Sequence, residues 1–188
     1  MTALGPIDKV FHSKKGQSLI ELTLITPLML FLIYGVVEVG SIIGAYLTLS
    51  QLTREGANMT SRGTIPQDAL DAITAAGAPT IRNNNQAQWR IIYTRFIQAP
   101  TIPCPPPQPC TYIIDNQIIR GNLGQSSKIG GMGNTVTIPG IQNVGPSQKF
   151  HTIEVFYDYG PNALSFVANN VNKIFYERTI FTDVSGKP

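Results

Sequence analysis

Charge is what this chain has least of. Among its 188 residues 14 are Lys or Arg and 11 are Asp or Glu, 13% in all, about half the share of an ordinary soluble domain. The net charge of +3 is mild, and basic residues never run beyond two in a row. Phosphate neutralisation on the scale that carries nucleic-acid binding is therefore excluded. Two cysteines exclude a disulfide-dense scaffold and a four-cysteine zinc site, and two histidines are too few for a His-rich metal site. The sequence contains no GxGxxG, no P-loop GK[ST], no GxSxG, no HExxH and no EF-hand loop. Asp115, Glu154, Asp158 and Glu177 have no spacing that requires shared chemistry, and His151, alone in a strand pattern, reads as structural or solvated. Catalytic residues, a cofactor and a metal site are accordingly not expected. The length suits one modest domain plus an extra segment.

What the chain does have is one long apolar run. Between Glu21 and Arg54 the only charged residue is Glu38. Leu22 to Val37 reads LTLITPLMLFLIYGVV, in which 11 of 16 residues are Leu, Ile, Val, Met or Phe. As a helix, Leu22 to Ile43 is about 33 Å long, against about 30 Å for a bilayer hydrocarbon core. One carboxylate near the end of such a segment costs about 3 kcal/mol at most, less than the apolar residues return. The run is too long for the core of a signal peptide and lacks an A-x-A-like cleavage site. Lys9, Lys14 and Lys15 precede it in a short leader that also holds His12, while Arg54 and Arg62 follow. That asymmetry places the N-terminus in the cytoplasm and exports the larger C-terminal part. Pro27 should remove the hydrogen bond to the Thr23 carbonyl and bend the helix. Gly40-x-x-x-Gly44 is a helix-packing candidate, alongside the reading that its glycines are incidental. Glu38 needs either a partner or headgroup water.

The residues at the start of the run are the most specific feature: Lys14-Lys15-Gly16-Gln17-Ser18-Leu19-Ile20-Glu21. A glycine admits extended backbone into a narrow protease cleft. A cut after it leaves an α-amine near the interface, and a carboxylate just inside the apolar region is expensive unless paired. Alternatively, Glu21 merely favours the helix N-terminus. The order of residues resembles the cleavage region of type IV prepilins. The resemblance narrows through Leu19-Ile20-Glu21, Tyr34-Gly35-Val36-Val37-Glu38-Val39-Gly40 and Arg54-Glu55-Gly56-Ala57, where the sequence looks like the TadE-like family, the minor pseudopilins of tight-adherence (Flp-type) pilus systems. Thr26-Pro27 stands where that pattern has Leu-Pro, and Gln17 where pilins often begin with Phe. The likeness covers about residues 16–60.

The resemblance implies several things. A prepilin peptidase cuts between Gly16 and Gln17. Glu21 then pairs with an α-amine, and the helix packs against other pilin and pseudopilin subunits within an inner-membrane pilus assembly machinery. The chain would be a single-pass inner-membrane protein with an extracytoplasmic C-terminal part, taking part in pilus assembly or priming. The rival is an uncleaved anchor that displays a binding or adhesion module.

The expected organisation is a leader over 1–16, a membrane helix with its extension over 17–62, and an exported domain over 63–188. Gly63 and Pro66 should stop the long helix. Pro66 to Ala76 reads as a second helix, with Pro at its first turn and Gly77 after its end. Strands are expected at Trp89–Ile97, Tyr112–Ile119 (as a hairpin turning at Asp115-Asn116), Thr135–Ile138, Thr152–Tyr159 and Ile174–Val184, with a short amphipathic segment over 163–173. The fold class is α+β with a small antiparallel sheet. A Pro-rich stretch, 99–110, contains Cys104 and Cys110, which form either a small structural disulfide in an oxidising compartment or two free thiols. A Gly-rich stretch, 121–133, should be mobile. Both read as loops that face a partner or simply connect.

Overall fold

A computed structural model describes residues 14–78, 86–99, 111–137, 148–159 and 174–184, with side chains from Ser18 onward. Helix α1 runs Lys14–Ser61, through Pro27. Helix α2 is Pro66–Ala76. A 3₁₀ turn, Gln86–Gln88, leads into five strands: β1 (Trp89–Gln98), β2 (Thr111–Arg120), β3 (Thr135–Thr137), β4 (Lys149–Asp158) and β5 (Ile174–Thr182). The sheet order is β3-β2-β1-β4-β5, every pairing antiparallel. This is the α+β arrangement of a long apolar helix, a short helix and an antiparallel sheet. The chain divides into two compact units, residues 1–41 and 42–188.

In the first unit α1 is apolar on every side, and its large side chains from Leu19 to Val39 are exposed. Its threonine hydroxyls satisfy themselves within the helix. Thr23 donates to the Leu19 carbonyl at 2.7 Å and Thr26 to that of Leu22 at 2.7 Å, so neither asks the surroundings for a partner.

The second unit begins where the helix acquires a single buried stripe. Ala45, Leu49, Leu52, Thr53, Ala57, Thr60 and Ser61 are buried, at the spacing of three and four that keeps one face of a helix inward. The stripe packs on the sheet in one core with Leu70, Ile73, Ile91, Tyr93, Ile153 and Val155. Gly56 sets the distance of approach. A Cβ there would stand 3.0 Å from Ile73 and 3.3 Å from Ile153, so any larger residue would have to push those side chains aside by a few tenths of an ångström. The helix ends as its sequence requires. Gly63 has φ 91°, its N–H bonds the Thr60 carbonyl, and the Thr64 N–H reaches back to Met59, which together make a Schellman cap. Pro66 opens α2, Asp68 sits in its first turn, and Ala69, Leu70 and Ile73 form its buried face.

The expected hairpin at Asp115-Asn116 does not exist. Thr111–Arg120 is one continuous strand whose register slips opposite Arg95/Phe96. Asp115 is the extra residue of a β-bulge, and the salt bridge Arg95 Nη2–Asp115 Oδ2 at 2.7 Å occupies its carboxylate. The turn-forming pair is spent on a bulge because both flanks of β2 find partners on β1. The Gly-rich segment lies against the sheet face opposite α1. Leu123 is buried with Ile92 and Phe156. The segment expected at 163–173 lies outside the described residues.

Candidate functional site

The residues singled out in the sequence line up along α1. Gly16 and Gln17 fall in its first turn, where the leading N–H groups have no intrahelical acceptor and the backbone frays most easily. Glu21 lies one turn further in, on the exposed surface. Glu38 is half-buried on the helix, and its Oε1 has no hydrogen-bond partner. Gly40 and Gly44 fall one turn apart on one face, with nothing within 4 Å of the position a Cβ would take. Between Gln17 and Tyr46 the helix therefore carries two carboxylates and a notch at intervals on a mostly apolar surface. Cys104 and Cys110 lie outside the described residues. The segment that carries them joins β1 to β2, and its flanks are tied together by the Ala99 N–H to the Thr111 carbonyl at 3.1 Å.

Two buried polar clusters escaped sequence reading. On the sheet face that meets α1, Tyr93 Oη lies 2.9 Å from His151 Nδ1, and His151 Nε2 stands 3.7 Å from the Asp183 carboxylate. Burial pushes the His151 imidazole below its ordinary value of 6.5, against the smaller upward pull of Asp183. Burial likewise raises the Tyr93 hydroxyl. At neutral pH both groups are uncharged, so the hydroxyl and a neutral imidazole share this hydrogen bond.

On the opposite face Glu154, fully buried, gathers the Gly-rich segment. It accepts from the Ser127 hydroxyl, the Lys128 backbone N–H at 3.0 Å and the Tyr176 hydroxyl at 2.9 Å. The Lys128 ammonium sits 3.8 Å above the Tyr176 ring. Burial first and the Glu154 charge second raise the Tyr176 hydroxyl. Alternation along β4 places His151 with Ile153 and Glu154 with Phe156 on their respective faces. Their partners lie 58 residues away for His151 and 27 or 22 for Glu154, and no local signal reports such pairs. Both clusters hold strands together, His151 through Tyr93 on β1 and Glu154 through Tyr176 on β5. Among the described residues no group of three or more His, Cys, Asp or Glu could hold a metal ion.

An apolar helix exposed along its first half, long and apolar enough to cross a membrane by length and composition, followed by an α+β unit, fits a single-pass membrane anchor carrying a folded domain. The family model described as TadE-like protein matches residues 16–58, which runs from the Gly16 junction to just past Gly56-Ala57, where the helix rests on the sheet. The match covers 43 of the 188 residues. No curated protein and no solved structure matches the chain.

Proposed function

We propose that this chain is a minor pilin-like subunit of a tight-adherence pilus, cut after Gly16 by a prepilin peptidase and held in the inner membrane by the apolar half of α1. The observation that carries this reading is the coincidence of the TadE-like match at 16–58 with a helix whose apolar side chains are exposed all round. Such a surface is stable only in lipid or against other apolar helices.

Cleavage would leave Gln17 as the first residue, its α-amine positive. Glu21, four residues on, then offers an acidic partner to the amine of a neighbouring copy, and a buried charge pair of this kind fixes the register between helices. Glu38 supplies a second acidic position on the same helix, and Gly40 and Gly44 offer a face for close packing. The α+β unit would face outward, away from the cytoplasm. No reacting group is required, and the chain's role is assembly.

The test is the N-terminus and intact mass of the membrane-purified protein, made with and without its cognate peptidase. A start at Gln17 that depends on the peptidase and is blocked by Gly16→Val supports the pilin pathway. A start at Met1 in both cases overturns it in favour of an uncleaved anchor displaying a binding module.

A further inference from the structure

Strand β5 ends beside the end of α1, and the two residues after it fasten one to the other. The last four carbonyls of a helix have no donor within it. The turn that follows α1 supplies donors to three of them. The Arg62 N–H reaches Asn58, the Gly63 N–H reaches Thr60 and the Thr64 N–H reaches Met59. The fourth, Ser61, accepts from the Val184 N–H at 3.0 Å. One residue earlier, the Asp183 N–H bonds the Lys149 carbonyl at 2.9 Å, so this tail is held between α1 and the first residue of β4. A further link from β5 to α1 joins side chains, Thr179 Oγ1 to Thr53 Oγ1 at 3.0 Å.

His151 sits against this tail and is 7% exposed. Tyr93 Oη engages its Nδ1 at 2.9 Å, while its Nε2 is buried and has no hydrogen-bond partner among the described residues. The Asp183 carboxylate stands 3.7 Å from that nitrogen, beyond hydrogen-bond reach. The titratable and charged groups that face the ring are Tyr93 and Arg95 on β1, Asp115 on β2 and Asp183 in the tail. Arg95 and Asp115 are paired with each other, and α1 adds no charged group. Protonation makes both ring nitrogens donors. Tyr93 can accept from one of them. The other is then a buried cationic donor without an acceptor, which is costly. Lifting the tail admits water and removes that cost. We propose that His151 and the tail Asp183-Val184 form an acid-released clasp, in which a proton on the ring lifts the tail from the end of α1 while the rest of the sheet stays paired. Burial holds the ring below its ordinary value of 6.5, against the weaker upward pull of Asp183, which agrees with a proton that enters the open form first. Release leaves the Ser61 carbonyl to water and keeps the Thr53–Thr179 bond. The clasp lies wholly within residues 42–188 and does not depend on the membrane reading of α1.

Amide hydrogen exchange of the full chain in detergent micelles tests the clasp. It is followed at pH 7 and pH 5, with and without low urea, and expressed as protection so that the intrinsic rate cancels. Protection at Asp183 and Val184 is expected to fall on the order of ten-fold from pH 7 to pH 5, because each pH unit below 6.5 favours the open form by up to about ten-fold. Low urea should leave this protection unchanged, as suits an opening that exposes little surface. Amides of Ile91 to Tyr93, in the centre of the sheet, should respond to urea. His151→Gln should keep the tail protected at pH 7 and abolish the fall at pH 5. Three results would overturn the clasp. They are tail protection that does not change with pH, a fall that survives in His151→Gln, and tail exchange that rises with urea in step with Ile91 to Tyr93. The last would assign the proton to global unfolding. If His151→Gln does not fold, the pH and urea series on the unaltered chain decides alone.

Discussion

Single residues in this molecule act mainly through what surrounds them on the sheet. The imidazole of His151 belongs to the core even though it is titratable. Its folded-state pKa lies below 6.5 because burial disfavours the cation. As pH falls below 6.5, the unfolded chain takes up this proton before the folded one does, so the folded state loses stability through that window and regains it on return to neutral pH. Thermal denaturation of the detergent-solubilised full chain should show a Tm that falls from pH 7 to pH 5. The fall should be shallower in His151→Gln; an identical slope in the variant would remove His151 as its cause. Tyr93 and Tyr176 act at the other end. Their raised values mean that they oppose folding only above about pH 10, where the unfolded phenols ionise. Gly121 is the backbone counterpart. It holds φ +80°, and a Cβ there would run into the Trp89 carbonyl and ring. Gly121→Ala should cost about 2 kcal/mol or more, combining left-handed strain with the clash, and urea denaturation would read this as a lower midpoint.

At the scale of elements, the Gly-rich stretch behaves as a cover. Its glycines, at positive φ for Gly121, Gly130 and Gly133, let it turn back across the sheet. Glu154 then fastens it, with the Ser127 hydroxyl and the Lys128 N–H on one side and Tyr176 of β5 on the other. Glu154→Ala removes the acceptor of three part-buried donors at once, at a cost of about 3 kcal/mol. Hydrogen exchange should accelerate first over residues 121–134 and at the Tyr176 end of β5, with α2 much less affected. Uniform acceleration across the whole unit would show that Glu154 supports the fold globally and does not fasten this segment in particular. Helix α1 changes its character between residues 41 and 45, from apolar on all sides to buried on one. The Gly56-Ala57 pair is the seat of that second half on Ile73 and Ile153.

For the whole molecule, the functional question is whether the helix assembles with others. Glu21→Ala should leave export and membrane insertion intact, since removing a carboxylate from an apolar helix eases insertion. It should sharply reduce pilus number, which electron microscopy of a strain carrying the variant would count. Glu21→Gln separates charge pairing from hydrogen bonding, because it keeps the shape and loses the charge. Normal pili in both variants would defeat the pairing role while leaving the anchor untouched.

The sequence by itself determined what local chemistry controls. The apolar run from Leu22 to Ile43 and the carboxylates at Glu21 and Glu38 are written directly in the residue order. So are the stop at Gly63, the second helix from Pro66 to Ala76, and strands near Trp89, Thr135, Thr152 and Ile174, because periodicity, caps and turn residues act over a few positions. Tertiary structure decided the rest. Asp115-Asn116 reads locally as a turn, yet Arg95 on the neighbouring strand captures the aspartate and makes it a bulge. His151 reads as a lone strand histidine, yet Tyr93 receives it in the core. Glu154 reads as a polar residue of an alternating strand, yet a loop 26 residues earlier closes over it. Each of these outcomes depends on a partner brought near only when the sheet forms. A carboxylate or an imidazole is held in the interior by such a partner and not by its neighbours in sequence.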